Sequence, residues 1–108
     1  MIHELRVYEA IPGRLPALLK RFETDTLRLM AKHGFSPVGF WTTVIGESSQ
    51  KLHYILAWKS LAEREQKMGA FGMDPEWAQV RDTSEANGPL IAKIANTILT
   101  PTSFSPMK

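Results

Sequence analysis

The sequence predicts an α+β domain of order β-α-β-β-α-β, with four antiparallel strands in one sheet and both helices on one face. Three observations carry this expectation. The hydrophobic period switches along the chain from two residues to 3.6, back to two, and through the same change again. Turn-forming residues, Pro12-Gly13, Gly34, Gly46 and Asn87-Gly88-Pro89, stand where the period changes. A length of 108 residues, 44% hydrophobic and 22% charged, fits a single folded unit spanning 1–108, with no linker, repeat or low-complexity segment.

Residues 2–10, Ile-His-Glu-Leu-Arg-Val-Tyr-Glu-Ala, alternate Leu5 and Val7 against Glu4, Arg6 and Tyr8. This is a strand with one apolar face and one polar-aromatic face. Between Arg14 and His33, Leu15, Leu18, Leu19, Phe22, Thr26, Leu29 and Met30 form the stripe of an amphipathic helix. Pro16 falls in its first turn, where a missing N–H is harmless, and Gly34 stops it. Residues 35–46 are β-branched and aromatic and predict a second strand. The turn at 46–49 leads into a third strand, 51–58, as a hairpin. Ser60-Leu61-Ala62-Glu63 is a capping box for a second helical region, weakened at Gly69 and Gly72. Asp74-Pro75 restarts it, with Asp74 as N-cap and Trp77 and Val80 on the buried side. Residues 94–100 make the fourth strand. The order is ferredoxin-like.

Two helical regions cover one face of such a sheet and leave the other open. The alternation in the first strand assigns Glu4, Arg6 and Tyr8 to the open face. Both faces of the third strand, Leu52/Tyr54/Leu56/Trp58 and His53/Ile55/Ala57, are substantially apolar, so this strand reads as buried on both sides. An open apolar face is an interface signal. The expected assembly is a homodimer whose two sheets pack face to face and close an α/β barrel.

Several stretches resemble the NIPSNAP family. Glu4-Leu5-Arg6-Val7-Tyr8 followed by Pro12-Gly13 is similar to its opening, and Trp58-Lys59-Ser60-Leu61-Ala62-Glu63-Arg64 to its strand-to-helix junction. Asp74-Pro75-Glu76-Trp77 and the ending Leu99-Thr100-Pro101-Thr102-Ser103-Phe104-Ser105-Pro106 extend the likeness over nearly the whole chain. The resemblance implies a dimeric α/β barrel and no particular reaction.

Composition narrows the function. The formal charge is +2 and the 13 Lys and Arg are scattered, without the basic footprint that nucleic-acid binding needs. With no cysteine there is no thiolate, disulfide or zinc ribbon. The longest apolar run, Tyr54 to Trp58, is far short of a membrane span, and charge at the N-terminus stands where a signal peptide needs apolar residues. A cytoplasmic location is expected. His3, His33 and His53 have no local metal-ligand spacing, so neither metal nor cofactor is expected. No catalytic set stands out. The candidate ligand-binding residues are His53, Tyr8, Arg6, Trp41 and Tyr54, isolated polar and aromatic groups beside a doubly apolar strand. The expectation is a homodimer that binds a small, partly apolar molecule. The alternatives are a cofactor-free or haem-using monooxygenase-like enzyme and a protein–protein interaction module without ligand.

Overall fold

One antiparallel sheet, in the strand order β2-β3-β1-β4, organises the chain. The computed structural model describes residues 1–108. It runs β1 (Ile2–Ala10), α1 (Leu15–Arg21), a π-helical segment (Phe22–Thr26), α2 (Leu27–Lys32), β2 (Ser36–Thr42), β3 (Lys51–Trp58), α3 (Leu61–Gly72), α4 (Pro75–Ser84) and β4 (Ile91–Leu99). The fold is the ferredoxin-like α+β arrangement. Strand β1 lies between β3 and β4, so that Arg6 stands opposite Tyr54 on one side and Asn96 on the other.

Strand boundaries differ from the expectation. Strand β2 ends at Thr42, opposite Leu52, one position from the start of β3, and residues 43–46 lie outside the sheet. Val44 and Ile45 are consequently 94% and 95% exposed despite their β-branched side chains. Strand β4 begins earlier than expected, since Ile91 pairs with Ala10 beyond a register shift at Glu9 and Ala10. The long first helix is not uniform. At its centre the Leu27 N–H reaches back five residues to the Phe22 carbonyl, giving a single wide π turn.

The facing of β1 is the reverse of the expectation. Glu4, Arg6 and Tyr8 share the face of Leu52, Tyr54 and Leu56 and point toward the helices, while Leu5 and Val7 lie on the open face beside Ile55 and His53. The physical reason is pairing. Buried polar groups are tolerated when they satisfy one another, and the next subsection shows that these do. Strand β3 is correspondingly buried on its helix-facing side only, its open side being half-buried.

The core lies between sheet and helices: Leu18, Phe22, Met30, Phe35, Tyr54, Leu56, Trp58 and Leu90, with aromatic edge-to-face pairs joining Phe22 to Tyr54 and Phe35 to Trp58. It is thin. Only 17 of 108 residues are buried, and the radius of gyration is 14.5 Å, against about 13 Å for a filled globule of this length. Helices α3 and α4 bury no residue completely, so Trp77 and Val80 are half-buried rather than core.

Caps fix the helix starts. The Glu63 N–H donates to Ser60 Oγ at 3.1 Å, and the Glu63 carboxylate accepts from the Lys59 N–H at 3.0 Å, one residue before the partner a capping box predicts. Ser60→Ala should therefore cost about 1 kcal/mol and lower Tm by about 4–8 °C; a calorimetric scan beside wild type measures it. Asp74 accepts from the Glu76 N–H at 2.9 Å as N-cap of α4, and also from Lys32 and His33, both at 2.8 Å, tying α4 to the end of α2. Gly34, at φ 76°, provides the left-handed turn out of that end.

Candidate functional site

The centre of the helix-facing side is a carboxylate with no solvent exposure. Glu4 accepts five hydrogen bonds: from Trp58 Nε1 at 3.1 Å, Arg64 Nε at 2.9 Å and Nη2 at 3.0 Å, Asn96 Nδ2 at 3.0 Å and Arg6 Nη1 at 2.9 Å. Burial alone would raise its pKa, but the bonds from Arg64, Asn96, Arg6 and Trp58 outweigh it and hold the group at about 2. Four separate elements supply these donors. Trp58 ends β3, Arg64 is in the first turn of α3, Asn96 is on β4 and Arg6 is two residues along β1, on the same face.

Arg6 carries the network outward. Its Nε donates to Tyr54 Oη at 2.8 Å and its Nη2 to Tyr8 Oη at 3.0 Å, while Tyr54 donates its own proton to Tyr8 at 3.0 Å. Burial first, and the neighbouring Tyr8 second, push the Tyr54 phenol well above its ordinary value, so it stays a donor across the physiological range. Tyr8 thus accepts twice, from Arg6 and Tyr54, which uses both lone pairs of its oxygen. Its own O–H has no partner in the protein.

That hydroxyl borders a cavity of about 350 Å³ between the sheet and the helical layer. Phe22, Met30, Met68, Phe71, Trp77 and Ile94 give it an apolar wall, and Arg6, Tyr8, Tyr54, Arg21 and Thr26 are the polar groups at its base and side. The helices stop short of β4, leaving Ile94 and Ile98 exposed on this face, so the cavity opens toward that edge strand. The Arg21 guanidinium lies 5.2 Å from the centre of the Trp77 ring and donates through Nη1 to Glu85 at 3.1 Å and Ser84 at 3.2 Å. A wider groove of about 590 Å³ lies between the first helical region and α4, and in its wall Arg28 is paired with Asp25 and Glu76.

Of the five expected ligand residues, Arg6, Tyr8 and Tyr54 meet at this cavity. His53 and Trp41 do not; they lie on the opposite face of the sheet. His53 Nε2 bonds Thr43 Oγ1 at 2.9 Å, and the Trp41 indole, 51% exposed, lies across Gly39, where an added Cβ would come within 2.7 Å of it. The split follows from strand alternation: His53 and Tyr54 are neighbours in β3 and must face opposite ways. Sequence reasoning missed Glu4 as the hub, and Arg21, Thr26 and Arg64 altogether. The signal available was Arg64 in the first turn of a capped helix directly after β3, which brings it back over the start of β1. No group of three or more His, Cys, Asp or Glu side chains is arranged to hold a metal ion, and no helix is long and apolar enough to cross a membrane.

The NIPSNAP family model matches residues 3–106. A NIPSNAP family protein with unknown function from Agrobacterium tumefaciens superposes with a TM-score of 0.87 at 29% identity, over 100% of this chain and 94% of that one. A second NIPSNAP family protein from the same organism gives 0.87 at 27% identity, over 99% and 98%. A putative antibiotic biosynthesis monooxygenase from Nitrosomonas europaea gives 0.63 at 10% identity, over 94% and 98%, a likeness of fold alone. No curated protein matches the chain.

Proposed function

The chain belongs to the NIPSNAP family, and from that premise we propose that the domain acts as a homodimer in which each copy holds a small, partly apolar molecule between its sheet and its helices. One observation carries this reading: an apolar-walled cavity of about 350 Å³ has a hydrogen-bonded Arg6–Tyr54–Tyr8 set at its base. Ligand sites are built this way, with mostly apolar walls and a few fixed polar groups, in volumes of about 300–1,000 Å³. The network behind those groups holds them rigidly. Glu4 fixes Arg6, and Arg6 fixes both phenols.

The open face supports the second half of the proposal. Leu5, Val7, Ile55, Ala57, Trp41, Ala95 and Leu99 lie on it, and its charged side chains, Glu9, Lys51 and Lys93, are together at one end. A two-fold interface sets a patch against itself, so an uncharged centre meets its own copy without like-charge conflict. The fold likeness to the Nitrosomonas europaea protein assigns no oxygen chemistry here.

The test is binding of the neutral apolar probe N-phenyl-1-naphthylamine. Gly72 borders the cavity, and a Cβ placed there meets nothing within 4 Å, so Gly72→Leu fills space without a clash at its root. The probe should brighten saturably with wild type and bind Gly72→Leu at least tenfold more weakly. No saturable binding to wild type, or equal binding to the two, overturns the reading.

A further inference from the structure

We propose that the molecule held in the cavity is a small carboxylate with an apolar, aromatic-sized body, its anionic oxygens taken by Tyr8, Thr26 and Arg21. The inference rests on the binding function proposed above and adds the chemical class of the ligand.

Three polar groups bordering the cavity have unspent hydrogen-bonding capacity. The Tyr8 oxygen accepts from Arg6 and Tyr54, which leaves its O–H free. Thr26 is 4% exposed and its Oγ1 has no partner. Arg21 is 5% exposed; its Nη1 is engaged, but its buried Nε–H has no partner. Buried polar groups are almost always satisfied, so unsatisfied ones at a single cavity need an explanation. All three can donate, and an oxygen anion accepts from donors of each kind.

The charge of the wall agrees. Three guanidinium groups, Arg6, Arg21 and Arg81, border the cavity with one carboxylate, Glu85. Glu4 lies behind Arg6 and is itself saturated with donors. An anion in an apolar cavity is costly unless charge-assisted hydrogen bonds receive it; each of these guanidinium groups stands beside a carboxylate, Arg6 by Glu4, Arg21 by Glu85 and Arg81 by the exposed Asp82 at 3.7 Å, but Arg21 keeps an unpartnered Nε–H. The wall opposite is aromatic: Phe22, Phe71 and Trp77.

The backbone is adapted to this arrangement. On a regular α-helix, residues five apart point about 140° away from each other. Arg21 and Thr26 are five apart, yet both border the same cavity, because the turn between them is the π-helical segment Phe22–Thr26. Such turns occur mostly as single insertions within α-helices and frequently at functional sites.

The experiment displaces bound N-phenyl-1-naphthylamine with 3-phenylpropionate or with its neutral counterpart, 3-phenylpropan-1-ol, at neutral pH. The acid should displace the probe from wild type at a concentration at least tenfold lower than the alcohol. Thr26→Val and Tyr8→Phe should each cut that preference at least threefold, because losing a donor weakens the anionic acid more than the neutral alcohol. Thr26→Val should also raise Tm, since it removes an unsatisfied hydroxyl and replaces it with a methyl group of the same shape; a purely structural threonine would not couple a gain in stability to a loss of acid preference. Equal displacement by acid and alcohol, or displacement by neither while the probe binds, overturns the carboxylate class and leaves the binding function standing. An acid preference that survives both substitutions removes Tyr8 and Thr26 from the site and overturns the assignment. Failure of the probe itself to bind overturns the underlying function.

Discussion

Glu4→Gln should lower Tm by more than 10 °C and remove much of the protein's sensitivity to acid. The carboxylate is wholly buried and is the common acceptor for Arg6, Arg64, Trp58 and Asn96. Glutamine keeps the size but exchanges one acceptor oxygen for a donor, which then faces donors. Arg6 loses its counter-charge and Arg64 keeps only the exposed Glu65; breaking a buried pair in this way costs about 3–5 kcal/mol, with each 1 kcal/mol worth about 4–8 °C in a domain of this size. The pH dependence has a definite sign. Folding lowers the Glu4 pKa from 4.5 to about 2. A lowered carboxylate pKa stabilises the fold above the unfolded value, and that contribution fades as pH falls from 4.5 through 2. The shift corresponds to about 3 kcal/mol. Urea titrations at pH 7, 4 and 2.5 measure it: wild type should lose stability steeply between the last two, and Glu4→Gln much less. Asp74 is also held below the usual carboxylate range, by Lys32 first and His33 second, so some acid sensitivity persists in the variant. Equal slopes in the two proteins would show that Glu4 is not the group that titrates.

The same residue shows what the sequence could and could not reveal. The order of elements was legible because period, caps and turn residues agree: Pro12-Gly13 after β1, Ser60 and Asp74 at helix starts, Gly34 at a helix end. Which face of β1 turns inward was not. Alternation gives two faces, and polarity ordinarily decides between them. Here the polar face is the buried one, because its partners come from 48 to 92 residues away: Tyr54, Trp58, Arg64 and Asn96. Long-range pairing of this kind leaves no local signature. The misassigned face explains the mixed candidate site. Tyr8, Arg6 and Tyr54 border one cavity, whereas His53 and Trp41 pair on the opposite face, a separation that residue type alone does not reveal. The π turn was invisible for another reason. Phe22, Thr26 and Met30 at spacings of four read as an ordinary stripe, and only the backbone hydrogen bond from Leu27 to Phe22 reveals the extra residue.

That separation of faces makes the last prediction sharp. Ile55→Lys should convert the proposed homodimer into a monomer and leave probe binding in the cavity intact. Ile55 stands near the centre of the open face, opposite Leu5 on one side and Gly39 on the other. It is outside the core cluster, so the folded monomer loses little by the change, and strand propensity alone spans only about 1 kcal/mol. In the proposed dimer the effect is doubled by symmetry, since each copy brings one ammonium group to the same apolar patch. Burying an unpaired charge costs several kcal/mol per ion, and each 1.4 kcal/mol is tenfold in Kd. A weakening of more than 100-fold follows. Sedimentation velocity at micromolar concentration should find wild type at twice 12.2 kDa and the variant at 12.2 kDa. Because Tyr54, the preceding residue, points to the other side of the sheet and into the cavity wall, the variant should bind N-phenyl-1-naphthylamine within about threefold of wild type, a change of under 1 kcal/mol. A wild-type monomer would remove the second copy from the proposal without touching the cavity. A monomeric variant that no longer binds would mean that the partner completes the site, and that the two faces of this sheet are coupled rather than independent.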